Sequence, residues 1–554
     1  MHCERGTDMK RYNRITPEGT RDLLFRESNE RKKVMATLRS IFEDAGYNYV
    51  ITPGFEFYDV FSSSELYFPQ ESMYKLVDDK GRILVARPDS TIPIARLVAT
   101  KLKGFPLPLR LCYEQTIFRK NPGLSGRNDE TMQSGVELIG DSSFNSDIEI
   151  LKLGVKALSA CQKKNLRIEI GHVGIFKLLM ENIEASDDQK AAIHEFIAAK
   201  NYAALSSKLD KLKNDRTTAL LKELPKLFGG KEVIAKAEKI FSDYDVRITE
   251  MIEYLKKIFC ELKKRGFEEY VIIDFGLVNQ AEYYSSLVFR GYIEAVGAPV
   301  LSGGRYDRLL RDFGYDQPAT GFAINVDLLT YSALKEEENS RVTDNGNLRI
   351  ALTKGRLEKD AIKLFKAMGF DCKNLEEKGR KLLVSIPNQD IDVLFAKAAD
   401  VITYVEHGVC DLGIVGMDTI MEKGGTFYEV LNLGFGKCKF SLAAPKGVDF
   451  YSGYSTKRIS TKYPKVTRDF FEEKGMDVEI IKIEGSVELA PILSLADAIV
   501  DIVETGKTLK ENGLEIIEDI QELSARLIVN EASMKMKKDK IDSLIEKMDR
   551  AVNG

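Results

Sequence analysis

The sequence contains no tryptophan, only four histidines, and seven cysteines among which no two form a C-x-x-C pair. His2, His172, His194 and His407 are too scattered for a His-rich metal site. Cys3, Cys112, Cys161, Cys260, Cys372, Cys410 and Cys438 are odd in number, which argues against a zinc ribbon or a disulfide framework and for reduced thiols in the cytoplasm. Neither charge sign dominates. Lys plus Arg is 81 and Asp plus Glu is 85, so a basic surface for nonspecific nucleic-acid binding is missing. The opening MHCERGTDMKRYNR lacks the apolar stretch of a signal peptide, and no uncharged run approaches the roughly 18 residues of a membrane span. What is present is 554 residues, 44% apolar and 30% charged. At about 100–200 residues per domain, that is enough for about three or four domains with full cores.

One segment reads as a linker. Residues 335–347, KEEENSRVTDNGN, are polar, lack apolar periodicity and cannot bury a face. Before it, Val34, Leu38, Ile41, Phe42 and Ala45 share one helical face that stops at Gly46, and Tyr47 to Thr52 reads as a strand entering Pro53. A helical region at about 175–265 separates these elements from the strand-like runs YVIIDFGLV, SSLVFRGYIEAV and PVLSGG. Strands, helices and strands again predict an α+β domain with a helical insertion. After the linker, the strand LRIALT meets KGRL, and Leu357, Ala361, Leu364, Phe365 and Met368 form a helical face ending at Gly369. CDLGIVGMD is a strand running into Gly416 and Asp418. Repeated strand–loop–helix units with polar residues at strand ends predict an α/β sheet whose ligands sit at strand C-termini.

The most informative stretch is AIVDIVETGKTLKENGL, residues 498–514. A strand leads into Glu504, Thr505, Gly506, Lys507 and Thr508, with a helix expected from Leu509. Gly506 permits a tight turn, and the amides and hydroxyls that follow can hold a phosphate. Asp501 and Glu504 set the segment apart from a nucleotide P-loop and suit a sugar phosphate, whose ribose hydroxyls donate to carboxylates. An ordinary strand–turn–helix has the same pattern. Lys354, Gly355 and Arg356 after the first strand, Arg380-Lys381, and Arg458 with Ser460, Thr461 and Lys462 add cations and hydroxyls. Each of these alone is equally a solvated surface group.

Taken together, LRIALTKGRL, DLGIVGMD, RISTKYP and VELAPILSLADAIVDIVETGKTL resemble ATP phosphoribosyltransferase, the first enzyme of histidine biosynthesis, over essentially all of 348–554. Ser494 stands where that signature usually has glycine. The resemblance is to the short form, which depends on a separate regulatory partner, because the chain ends soon after residues 526–548. It implies that Asp501 holds the ribose hydroxyls of phosphoribosyl pyrophosphate and that Glu504 to Thr508 cradle its 5-phosphate. Lys354, Gly355, Arg356, Arg380, Gly416, Asp418, Thr461 and Lys462 would then serve ATP and pyrophosphate, with Asp501, Lys354 and Arg356 as the catalytic set. Adenine N1 of ATP attacks the anomeric carbon and pyrophosphate leaves, so positioning matters more than a strong base. Mg²⁺ would arrive on the substrate phosphates.

The first part resembles class II histidyl-tRNA synthetases over 12–334, through TPEGTRDLL, GYNYVITPGFE, RPDSTIPIAR, FRKNPGLSGRNDETMQSGVELIG and GGRYDRLL. Three departures undo the ligase chemistry. Asn121 replaces an ATP-contacting Glu, and Asn279 and Leu328 replace arginines. The anticodon-binding domain is also missing, because the linker begins where it would start. The amino-acid pocket survives as Asp89, Thr91, Arg119, Gln133, Glu137, Tyr284 and Tyr306, with Asp89 in place of the usual Glu. This pattern is similar to the synthetase-like regulatory subunit of the short-form transferase.

The expectation is therefore a fusion of two parts. Residues 1–334 form a class II synthetase-like antiparallel sheet with a helical insertion. Residues 348–554 form a two-lobed α/β, periplasmic-binding-protein-like transferase, with lobes at about 348–437 plus 525–554 and at 438–524. The expected partners are ATP, phosphoribosyl pyrophosphate and inhibitory histidine, without tRNA or membrane, in a dimer or tetramer. The alternatives are an amino-acid-activating or tRNA-ligase-like enzyme, and a solute-binding module.

Overall fold

The structure is a computed structural model describing residues 12–62, 70–121, 126–161, 165–213, 215–278, 283–294, 296–339 and 346–553. It separates into two compact units: Met1–Ala198 with Ala204–Asp344, and Asn345–Gly554 with the short segment Ala199–Ala203.

The first unit is built on a nine-stranded sheet. Its order is Asn48–Tyr49, Leu109–Phe118, Glu130–Ile139, Ala319–Asn325, Leu301–Arg305, Leu287–Ile293, Leu166–His172, Val271–Asp274 and Phe228–Gly229. Pairing is antiparallel except at the first pair and between Leu166–His172 and Val271–Asp274, so the expected antiparallel sheet holds throughout its centre and is interrupted by two parallel pairs. Alternation along Glu130–Ile139 divides the labour of the two faces. Val136 and Leu138 join a core that includes Leu38 and Phe42 of helix Phe25–Asp44 and Leu151 and Leu158 of helix Phe144–Cys161, while Gln133, Gly135 and Glu137 alternate to the opposite face. Burying each such leucine contributes roughly 1.5–3 kcal/mol.

In the second unit the chain forms two sheets. A six-stranded one runs Leu383–Ile386, Ile391–Ala396, Leu348–Thr353, Leu412–Gly416, Ala525–Val529, Tyr428–Asn432. A five-stranded one runs Val478–Lys482, Lys457–Thr461, Ala498–Val503, Cys438–Pro445, Leu514–Leu523. The chain passes between them at two places, Asn432 to Cys438 and Leu523 to Ala525. These crossings bond to each other, with Leu433 N donating to Ala525 O (3.0 Å), Ala525 N to Phe435 O (2.9 Å) and Ser524 Oγ to Asn432 Oδ1 (2.9 Å).

Several expectations need correction. The polar stretch from Lys335 does not begin as a linker: helix Val326–Asn339 runs into it, because Lys and Glu are good helix formers even without an apolar face. Residues 340–345 lie outside the described ones. The strand expected over Tyr47 to Thr52 is only Asn48–Tyr49, at the sheet's margin and close before Pro53. The helix expected from Leu509 begins at Lys507, because Gly506 at φ 70° already supplies its cap. Two units replace the three or four domains that length suggests, since Ile193, Leu205, Leu220 and Ile252 of the insertion share one apolar cluster with the sheet.

Ser494 follows the short helix Leu489–Ile492 at φ 59°, the left-handed region where glycine is unstrained, and its N–H donates to Pro491 O at 3.1 Å. Its side chain therefore adds backbone strain without relieving any. Ser494→Gly is expected to stabilise the chain by about 0.5–1 kcal/mol, after the extra entropy of an unfolded glycine is counted. Urea unfolding of the full chain checks this as a higher midpoint at unchanged slope; an unchanged or lower midpoint refutes the account.

Candidate functional site

Four strands of the second unit deliver the polar residues singled out in the sequence, each just past its C-terminal end. Lys354, Gly355 and Arg356 follow Leu348–Thr353, and Asp418 follows Leu412–Gly416. Lys462 follows Lys457–Thr461, and the Glu504–Thr508 turn follows Ala498–Val503. Parallel neighbours force this convergence, because Leu348–Thr353 runs parallel to Leu412–Gly416 and Lys457–Thr461 runs parallel to Ala498–Val503.

These residues fall into two groups. One lines a cleft of about 250 Å³ bounded by Lys354, Arg356, Gly416, Asp418, Cys438 and Ser524, among others. A Cβ on Gly416 would meet Asp418 Oδ1, so glycine leaves that carboxylate its place in the cleft. The other group sits around Asp501, which alternates with the cleft-lining Ile502 and so leaves the opposite face of its strand. Burial raises the Asp501 pKa and Glu488 adds to the rise, while Lys462 opposes it. One contact joins the groups: Arg356 Nη1 donates to Glu504 Oε2 at 2.5 Å.

Two expected ligands are otherwise employed or placed. Thr461 is fully buried, and its hydroxyl donates to Val500 O (2.7 Å) while accepting from Tyr463 N (2.9 Å), so it holds the strand end together. Arg380 stands on the exposed loop before the edge strand Leu383–Ile386 and does not line the cleft. Conversely, sequence reasoning passed over Cys438 and Tyr463. Cys438 lines the cleft, and burial raises its pKa. The Tyr463 ring packs on Phe440 at 4.8 Å, and burial first, then the charges of Asp418 and Asp501, raise its pKa. Tyr463 lay in the quoted RISTKYP motif, one residue beyond the last position read for polar donors.

In the first unit the pocket residues gather on the sheet face opposite the main core. Glu137 is buried, with Oε1 accepting from Thr91 Oγ1 at 2.7 Å and Oε2 accepting from the Tyr306 hydroxyl. Gly321 lies directly opposite in register, and a Cβ there would collide with Oε2. Burial raises the Glu137 pKa from 4.5 to about 8, a rise that its two hydroxyl donors only partly offset. Tyr284 stacks on Tyr283 at 4.7 Å, and Tyr283 meets Tyr306 edge-on at 5.8 Å. Asp89 Oδ1 accepts from Ile92 N at 3.1 Å, and its Oδ2 faces Arg119 Nη2 at 3.4 Å. Gln133 Oε1 is buried without a hydrogen-bond partner among the described residues.

The departures from ligase chemistry have become structural. Asn121 ties its loop together, donating from N to Asp129 Oδ1 (2.9 Å) and from Nδ2 to Asn128 O (2.8 Å). Leu328 packs against the main apolar cluster. Asn279 lies outside the described residues.

Residues 19–329 match the family model described as histidyl-tRNA synthetase, and residues 397–550 match that of ATP phosphoribosyltransferase. An ATP phosphoribosyltransferase regulatory subunit of Clostridium botulinum is 41% identical over 339 residues, covering 61% of this chain and 80% of its own. An ATP phosphoribosyltransferase of Clostridium kluyveri is 62% identical over 206 residues, covering 37% of this chain and 94% of its own. A crystal structure of an ATP phosphoribosyltransferase regulatory subunit/histidyl-tRNA synthetase from Bacillus halodurans superimposes with a TM-score of 0.53 at 30% identity. It covers 70% of this chain and 93% of that one.

The raised Glu137 pKa has a definite sign in stability. The folded state holds a proton that the unfolded state releases, so stability falls as pH rises from about 4.5 to about 8. Across that window the loss is on the order of 4–5 kcal/mol. Glu137→Gln, which cannot ionise, is expected to show a flatter pH dependence of thermal unfolding between pH 5 and 8. Parallel profiles for the two proteins in calorimetry would exclude a neutral Glu137.

Proposed function

This chain belongs to the ATP phosphoribosyltransferase family of histidine biosynthesis, joining a regulatory half of histidyl-tRNA synthetase type to a catalytic half, and we propose roles for the residues of both. The observation that carries the proposal is the convergence of Lys354, Arg356 and Asp418 at strand ends in one cleft, joined through Glu504 to the Asp501 turn.

In this reading adenine N1 of ATP bonds to the anomeric carbon of phosphoribosyl pyrophosphate while the carbon–oxygen bond to pyrophosphate breaks, its electron pair leaving with pyrophosphate. N1 brings its own lone pair, so no side chain needs to remove a proton to create the nucleophile. Lys354 and Arg356 stabilise charge on the departing pyrophosphate. Asp501 accepts hydrogen bonds from the ribose hydroxyls, and the backbone of Thr505–Thr508 holds the 5-phosphate. Mg²⁺ would be held chiefly by the substrate phosphates. Bound there, Mg²⁺ supplies further neutralisation of phosphate charge. The two crossings between sheets support the likeness to two-lobed periplasmic binding proteins, with the cleft at the hinge.

The regulatory half senses histidine. Glu137 and Asp89 suit its ammonium and imidazole N–H groups, the unpartnered Gln133 Oε1 supplies a further acceptor, and Arg119 meets the carboxylate. We assign it no tRNA ligation, because Asn279 and Leu328 stand where the synthetase pattern has arginines for phosphoanhydride charge, and Asn121 stands where it has an ATP-contacting glutamate. We also propose a homo-oligomer. Phe55 (56% exposed), Phe57 (42%) and Leu76 (45%) leave apolar surface on the small sheet Phe55–Phe57, Ile83–Ala86, Lys75–Val77, which a second copy would cover. The free thiols among the described residues suit the cytoplasm, and no helix among those residues is long and apolar enough to cross a membrane.

The test is formation of phosphoribosyl-ATP by the full chain from ATP, phosphoribosyl pyrophosphate and Mg²⁺, with and without histidine. Product that falls as histidine is added is expected, together with no histidine-dependent ATP–pyrophosphate exchange. Asp501→Ala should lower kcat/KM at least tenfold, from the roughly 1.5–3 kcal/mol of a charged hydrogen bond, while calorimetry still finds histidine bound. Loss of both functions would contradict separate sites.

A further inference from the structure

The resemblance counts Glu504 in the cradle of the 5-phosphate, a role that its charge does not fit. A carboxylate at the mouth of a phosphate-binding turn repels the ligand it flanks, and the backbone of Thr505–Thr508 needs no help from it. Its side chain nonetheless has a specific contact. Ile502 of strand Ala498–Val503 lines the cleft, and Glu504, in the turn just beyond that strand, meets Arg356 at the cleft wall. Arg356 opens helix Arg356–Ala367 directly after Gly355, whose φ of 101° turns the chain out of its strand. Its backbone is therefore fixed, but its side chain is 50% exposed and has long rotamer freedom.

We propose that Glu504 is a positioning residue: by accepting from Arg356 Nη1 it holds the guanidinium over the cleft, aimed at the departing pyrophosphate, without itself touching substrate. The guanidinium is a rigid planar fork with five donors, so holding one nitrogen narrows the orientations it samples and leaves other donors for phosphate oxygens. The pair also links the cleft group to the turn that follows strand Ala498–Val503. An exposed ion pair adds little to folding stability, so its removal acts mainly on the reaction. This inference rests on the reading of the cleft as the transfer site.

The experiment is steady-state phosphoribosyl-ATP formation by the full chain carrying Glu504→Gln, Arg356→Gln, or both. Glu504→Gln is expected to lower kcat about tenfold, with KM for phosphoribosyl pyrophosphate within about twofold of wild type. In the Arg356→Gln background the same change is expected to have no further effect, since Glu504 acts through that arginine. Glu504→Asp, which keeps the charge on a shorter arm, should fall between. A raised KM with unchanged kcat would make Glu504 a direct substrate ligand and overturn the proposal. Equal losses in both backgrounds, or no loss in either, would overturn it too. Full activity of Arg356→Gln would overturn the cleft reading itself. An inactive Arg356→Gln beside a normal Glu504→Gln would overturn only the positioning role.

Discussion

Negative charge that develops in a reaction has to meet positive charge already fixed in place, and that constraint accounts for what each half of this chain kept and lost. The catalytic half carries its cations at the C-terminal ends of strands, where Lys354, Arg356 and Lys462 stay wet enough to remain charged at little cost. The sheets supply the geometry, because parallel neighbours end on the same edge and present their first loop residues together. In the regulatory half the pattern departs at Leu328, a position that the resemblance gives to arginine, and at Asn121, one that it gives to glutamate. Asn121 spends its amide on its own loop, and Leu328 joins the apolar core.

The regulatory pocket solves a different problem, that of keeping a carboxylate where water does not reach. Glu137 stays there because two hydroxyls point at it and Gly321 makes room, and even so burial wins and its pKa rises. Nearby, Arg305 is equally buried but pairs with Asp147 at 2.8 Å and donates to Ser146 Oγ at 2.7 Å. Breaking such a pair is far costlier than its net contribution suggests, because either partner alone is an uncompensated buried charge. The contrast separates function from architecture. The saturated network around Arg305 leaves nothing for a ligand, whereas Glu137 and Gln133 retain unmet capacity on one strand face.

Most of this architecture was legible where one physical signal acted alone. The 3.6-residue periodicity of Val34, Leu38, Ile41 and Phe42 marks a helix, and all four are buried in it. The glycine-bounded strand of Ala498–Val503 was readable for the same reason. Illegible were the features decided by partners distant in sequence. Thr461 has the chemistry of a phosphate donor, and only the neighbouring strand's Val500 carbonyl shows that its hydroxyl is already spent. Asp501 and Glu504 look alike on paper, yet Asp501 is half-buried within its strand and Glu504 is exposed in the turn beyond it, against Arg356. The polar run at Lys335 was misjudged because the absence of an apolar stripe speaks against burial and not against a helix. Ser494 lies between these cases, since its departure from glycine was visible but its meaning required a φ of 59°.

Joining sensor and transferase in one polypeptide also changes which kind of regulation is physically open. Separate subunits respond to an effector by associating or dissociating, so their concentration enters the response. Tethered halves meet at an effective concentration of order mM for short connections, whatever the concentration of the chain. Dissociation is then a weak lever, and any effector that lowers transfer must do so by binding one conformation of the chain more tightly than another. Thermodynamic reciprocity follows: if histidine weakens binding of phosphoribosyl pyrophosphate, that substrate must weaken histidine binding by the same factor. A response that depended on protein concentration would instead point to contacts between chains, in which oligomer assembly and not the tether carries the signal.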